Sequence, residues 1–72
     1  MEEYSRIVIE EYCRNHPRTK KSVFLWDLLE LSYTMECESE DWEGIRLERY
    51  ISREKNPELR VALEDLNEFL FC

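Results

Sequence analysis

Glycine occurs once in these 72 residues, at Gly44, and proline twice, at Pro17 and Pro57. Tight hairpins and glycine-rich phosphate loops need residues that reach positive φ or let backbone come close, so there is little material for either. Helices are favoured by default. No uncharged run approaches the roughly 20 residues that cross a bilayer, and no apolar leader segment follows Met1. A soluble cytoplasmic protein with no membrane partner is the expectation. Cysteine is sparse and odd in number (Cys13, Cys37 and Cys72), a poor disulfide framework that agrees with a reducing compartment. Between residues 22 and 44 there is no basic side chain, against seven acidic ones.

The chain does have the means to fold. Its hydrophobic fraction of 43% and aromatic fraction of 12% supply enough large side chains to offset the entropy of ordering. Its length fits one domain, residues 1–72, near the lower limit for a core without metals or disulfides. Ten basic against seventeen acidic residues leave a net charge of −7. That sign disfavours DNA, RNA and anionic membrane as partners, because long-range attraction to phosphate needs the opposite one.

Ser22 to Met35, SVFLWDLLELSYTM, is the most apolar window and carries no basic residue. Its set Val23, Phe24, Leu25, Trp26, Leu28, Leu29, Leu31 and Met35 predicts a central helix, capped by Thr19 or Ser22. Asp27, Glu30 and Thr34 fall within about 60° of one another on a wheel of about 100° per residue, a narrow polar stripe. Before it, Tyr4, Ile7, Val8 and Tyr12, widened by Ile9 and Cys13, predict a first helix from Glu2 to Arg14. Glu3, Arg6, Glu10 and Arg14 form a charged row expected to face solvent. Pro17 should end that helix near Asn15. The basic loop that follows holds Arg14, His16, Arg18, Lys20 and Lys21, and reads either as a contact for phosphate or an acidic partner, or as a connector kept soluble by charge.

Glu36 to Glu43 packs five carboxylates into eight residues, and its end suits the start of a third helix, about Glu40 to Glu54. Tyr50, Leu47 and Ile51 give that helix its inner face. Trp42, Arg46, Arg49 and Arg53 recur at helical spacing along another. This row reads either as a recognition strip, since Trp and Arg concentrate binding energy at interfaces, or as an internal set, with the arginines paired to the acidic stripe or turn and Trp42 stacked on Arg46. Asn56 followed by Pro57 is a clear helix start. From Pro57 to about Phe71, Leu59, Ala62, Leu63, Leu66, Phe69 and Leu70 share one face.

The expected fold is therefore all-α, a compact bundle of about four short helices around an apolar central helix. Catalytic chemistry is not expected. Cys13 and His16 have a pair spacing seen in zinc sites, but Cys37 and Cys72 complete it poorly across half the chain. The single histidine has no nucleophile at a suggestive spacing. No catalytic, cofactor or metal residue is assigned. The functional expectation is a small acidic interaction or regulatory protein, an inhibitor or adaptor, that meets another protein, such as one with a basic surface, through Glu36, Glu38, Glu40, Asp41, Trp42, Glu43, Arg46, Arg49 and Arg53. The alternative is a helix-turn-helix-like module that sets Arg46, Arg49 and Arg53 on nucleic acid. Against it, the acidic turn would lie at the entry to the recognition helix. The apolar central helix also leaves homo-oligomerisation open.

Overall fold

The computed structural model describes residues 1–34 and 41–71, and all of their side chains except those of Thr34 and residues 41–43. Four helices make up the described chain: α1 (Glu3–Asn15), α2 (Lys20–Thr34), α3 (Asp41–Arg53) and α4 (Pro57–Phe71). The all-α bundle expected from the sequence is the observed architecture.

The starts of α4 and α2 have local causes. At α4, the Glu58 amide donates to Asn56 Oδ1 at 3.0 Å, and Pro57 takes the first helical position, where a missing N–H costs nothing. At α2 the capping residue is Thr19. The Ser22 amide donates to Thr19 Oγ1 at 3.1 Å, and the Ser22 hydroxyl returns a bond to the Thr19 carbonyl at 3.0 Å. The first of these bonds satisfies an orphan amide at the helix start, and the Thr19 cap places the first helical residue at Lys20, earlier than a Ser22 cap would.

The core is built from Val8, Ile9 and Cys13 of α1, Phe24, Leu25, Leu28 and Leu29 of α2, Leu47 and Ile51 of α3, and Leu59, Ala62, Leu63, Leu66 and Leu70 of α4. Burying a Leu or Ile fully is worth about 1.5–3 kcal/mol, so this set dominates stability. The apolar α2 packs on α1 and α4 and meets α3 through Phe24, which lies against Tyr50 and Arg46. Likewise α4 packs on all three others, with α1 lying along it. A backbone tie reinforces the α1–α4 seam: the Glu2 amide donates to Asp65 Oδ2 at 3.0 Å. On α3, Gly44 lets Phe71 come close, since a Cβ there would stand 3.3 Å from the ring's Cγ.

Three expectations about faces need correction. In α1 the buried arc is Ser5, Val8, Ile9 and Cys13, while Tyr4 and Ile7 are exposed. The helix is rotated because it packs on α2 and α4 together, which centres its inner face on Ile9. In α2, Val23 and Trp26 point outward, because the Phe24, Leu25, Leu28 and Leu29 quartet takes the opposite arc. The charged row of α1 is not wholly solvated either. Tyr33 of α2 lies across it, its hydroxyl donating to Glu10 Oε1 at 2.6 Å and its ring 5.7 Å from the Arg6 guanidinium. Arg6 also pairs with Glu3 at 3.4 Å. The Glu10 bond is the main reason the Tyr33 phenol ionises above its ordinary range.

Candidate functional site

The register that Thr19 imposes on α2 decides which of its side chains remain available. With the leucine quartet inward, Lys20, Val23, Trp26, Asp27, Glu30 and Tyr33 form the outward face. Val23 is 54% exposed and Trp26 42%, and they stand side by side on one face. The indole is held in place: Trp26 Nε1 donates to Glu30 Oε1 at 3.0 Å. Cation, apolar pair and carboxylates therefore follow one another along a single exposed ridge.

A groove runs down each side of that ridge. The first, about 330 Å³, lies toward α3 and has Phe24, Leu28 and Leu31 among its apolar lining, with Lys20 and Arg46 at its edge. The second, about 320 Å³, lies toward α1 and is lined by Cys13, Arg14, Pro17, Ser22 and Trp26. Arg18, Val23 and Asp27 line both. Arg18 adopts φ 75°, a left-handed conformation that costs a non-glycine residue roughly 1–2 kcal/mol, and it turns the chain from α1 into α2. The Thr19 hydroxyl secures the turn by donating to the His16 carbonyl at 3.3 Å.

Of the arginine row, Arg46 is half-buried, its guanidinium 4.5 Å from the centre of the Phe24 ring. It stands in the groove that Asp27 also lines, so the row meets α2 through an aromatic face. Among the described residues the ion pairs are Arg6–Glu3, Lys21–Glu54 and Arg60–Glu64, so the expected pairing of the row with Asp27 and Glu30 is absent from them. Arg49 and Arg53 are exposed. Glu36, Glu38 and Glu40 lie outside the described residues, as do the side chains of Asp41, Trp42 and Glu43, including the expected stacking of Trp42 on Arg46.

The expected basic loop divides, with only His16 and Arg18 of its basic residues lying between the helices, because Arg14 belongs to α1 and the Thr19 cap brings Lys20 and Lys21 into α2. Arg14, Arg18 and Lys20 remain exposed around the grooves. Lys21 turns inward to pair with Glu54, its ammonium 4.8 Å from the Tyr12 ring centre and 6.0 Å from that of Tyr50. The His16 ring stacks on Tyr12 at 4.4 Å and lies 3.1 Å, through Nδ1, from the Tyr12 carbonyl. Cys13 points elsewhere: its thiol donates to the Ser22 carbonyl at 3.5 Å, and burial, assisted by the charge of Glu10, pushes its pKa up. A buried thiol kept protonated is a poor nucleophile and a poor metal ligand. Among the described residues no group of three or more His, Cys, Asp or Glu side chains is placed to hold a metal ion. Cys37 and Cys72 lie outside them. No described helix is long and apolar enough to cross a membrane.

Val23 and Trp26 were assigned to the core by composition. A signal for their exposure is nonetheless present, since each stands four residues before a carboxylate of the polar stripe, Asp27 and Glu30, and so shares its face. Comparison with protein-family models, curated proteins and solved structures finds no match to this chain.

Proposed function

We propose that this chain is a small cytoplasmic interaction or regulatory protein, of inhibitor or adaptor type, which binds another protein through helix faces and performs no catalysis of its own. The observation that carries the reading is the outward ridge of α2, where Val23 and Trp26 stand exposed between two grooves. Exposed apolar side chains beside concave, arginine-edged surface are the ingredients of an interface centre. The net charge of −7 favours encounter with a partner that presents a basic surface, and the ridge then supplies apolar contact at close range.

The test is a pull-down from an extract of the native host with the wild-type chain and Val23→Asp side by side. Salt-sensitive association with a defined protein, lost in the variant, is the expected result; equal recovery by both would remove the α2 ridge from the interface. A parallel titration with duplex DNA and single-stranded RNA at low salt addresses the other reading. Binding that disappears on replacing Arg49 and Arg53 would favour nucleic acid over protein.

A further inference from the structure

The ridge of α2 is charged in a particular order. Its N-terminal end is basic, with Lys20 on the helix and Arg14 and Arg18 beside it, all exposed. Its middle is Val23 and Trp26. Asp27 and Glu30 follow, and α2 has no basic residue after Lys21. The ridge is also flanked by two grooves of nearly equal volume, about 330 and 320 Å³. Interlocking helices need this combination, because rows of side chains spaced four apart on each seat in the depressions beside the other.

We propose that the occupant of this face is a second copy of the same chain, docked α2 against α2 in antiparallel orientation about a twofold axis that crosses the outward ridge between Val23 and Asp27, level with the buried Leu25. The inference rests on the reading of this ridge as the interaction surface and names its partner. Antiparallel docking sets Lys20 opposite Glu30 of the second copy, and symmetry repeats the pair at the other end. The same register brings Val23 and Asp27 into the opposing groove, where Asp27 meets the guanidinium edge made by Arg14 and Arg18 of the second copy. Trp26, already fixed by its bond to Glu30, closes over the apolar middle. The net charge of −7 on each copy opposes this docking at long range, so the dimer is expected to be weak at low salt. Other occupants nonetheless match less of the surface: a basic partner surface satisfies only the carboxylate end. An acidic peptide satisfies only the basic end, a nucleic acid is repelled by Asp27 and Glu30, and a parallel copy sets like charge on like.

The experiment uses charge exchange across the proposed axis. Sedimentation equilibrium on the full chain is expected to show a reversible dimer below about 1 mM, within the range of weak specific association. Lys20→Glu and Glu30→Lys each set like charges opposite one another twice, and each is expected to weaken the dimer about tenfold or more. Mixed in equal amounts, the two variants regain complementary pairs and are expected to form the heterodimer, detected by native mass spectrometry. Both positions are exposed, and helical circular dichroism verifies that each variant folds; Val23→Asp is a second disrupting variant should either fail. A wild-type chain monomeric throughout that range, a dimer indifferent to these variants, or a mixture that stays monomeric overturns the proposal. If the wild type is monomeric yet Val23→Asp abolishes capture of another protein, the ridge remains an interaction surface and the second copy is eliminated as its occupant.

Discussion

Lys21 shows how much one side chain can hold together. Its ammonium pairs with Glu54, just past the end of α3, and lies against the rings of Tyr12 of α1 and Tyr50 of α3, so it joins α1, α2 and α3. On Glu54, partial burial acts to raise the pKa. The Lys21 hydrogen bond, the Asn56 amide, the charge of Lys21 and the Lys55 amide outweigh it, and the carboxyl ends below its ordinary value of 4.5. A carboxyl with a lowered folded pKa contributes stability that is present above its unfolded value and is lost as pH falls through the folded one. Lys21→Met should therefore cost about 1–2 kcal/mol at neutral pH, between the limits for exposed and buried pairs. In urea titrations that difference should shrink as pH drops below about 4.5; a difference independent of pH would mean that the pair is not its source. The sequence placed Lys21 in a basic loop, because nothing local reveals an acidic partner 33 positions away.

At the scale of the helix, α2 has more large apolar side chains than the core takes up. Leu25 is fully buried and Val23 is 54% exposed. Leu25→Ala should accordingly cost about 2–5 kcal/mol, whereas Val23→Ala should stay within about 0.5 kcal/mol of the wild type. Chemical denaturation of dilute protein measures both, and equal costs would mean that the helix is rotated from the orientation described. Element boundaries were largely legible in the sequence because their chemistry is local. Asn56 with Pro57 marks α4, Pro17 ends α1 in its neighbourhood, and Thr19 was one of two candidate caps for α2. Which face turns inward was less legible. Tyr4 and Ile7 fit the helical spacing of a buried stripe, but two neighbouring helices together set the rotation of α1, and Tyr4 finds an acceptor in Glu58 that raises its phenol's pKa. The ridge of α2 was harder to read for a related reason. Hydropathy scores Val23 and Trp26 as core, against the weaker signal that they share a face with Asp27 and Glu30, and the placement of the leucine quartet decides between the two.

The molecule as a whole carries −7 on a body with principal extents of 28 × 23 × 22 Å. Self-repulsion at that density opposes compaction, and added salt screens it. The melting temperature should rise by a few degrees between about 10 mM and about 200 mM sodium chloride, as followed by circular dichroism; a fall would mean that favourable ion pairs outweigh the repulsion. The fold class was readable because helical spacing and the near absence of glycine pointed the same way. The arrangement was partly so: apolarity marked α2 as the centre, and α2 does meet α1, α3 and α4, but the most extensive seam is the one between α1 and α4. The α1–α4 seam has a consequence for the order of assembly. Glu2 and Asp65 meet across 63 positions, whereas α1 with α2, or α3 with α4, can approach over short connections. Neither of those local pairs encloses the leucines of α4 by itself. The seam must close a loop that takes in almost the whole chain, at an entropic cost that grows with the logarithm of its length. Neither half is therefore expected to fold alone: peptides covering the N-terminal two helices and the C-terminal two should each lose most of their helical circular dichroism and regain it on mixing.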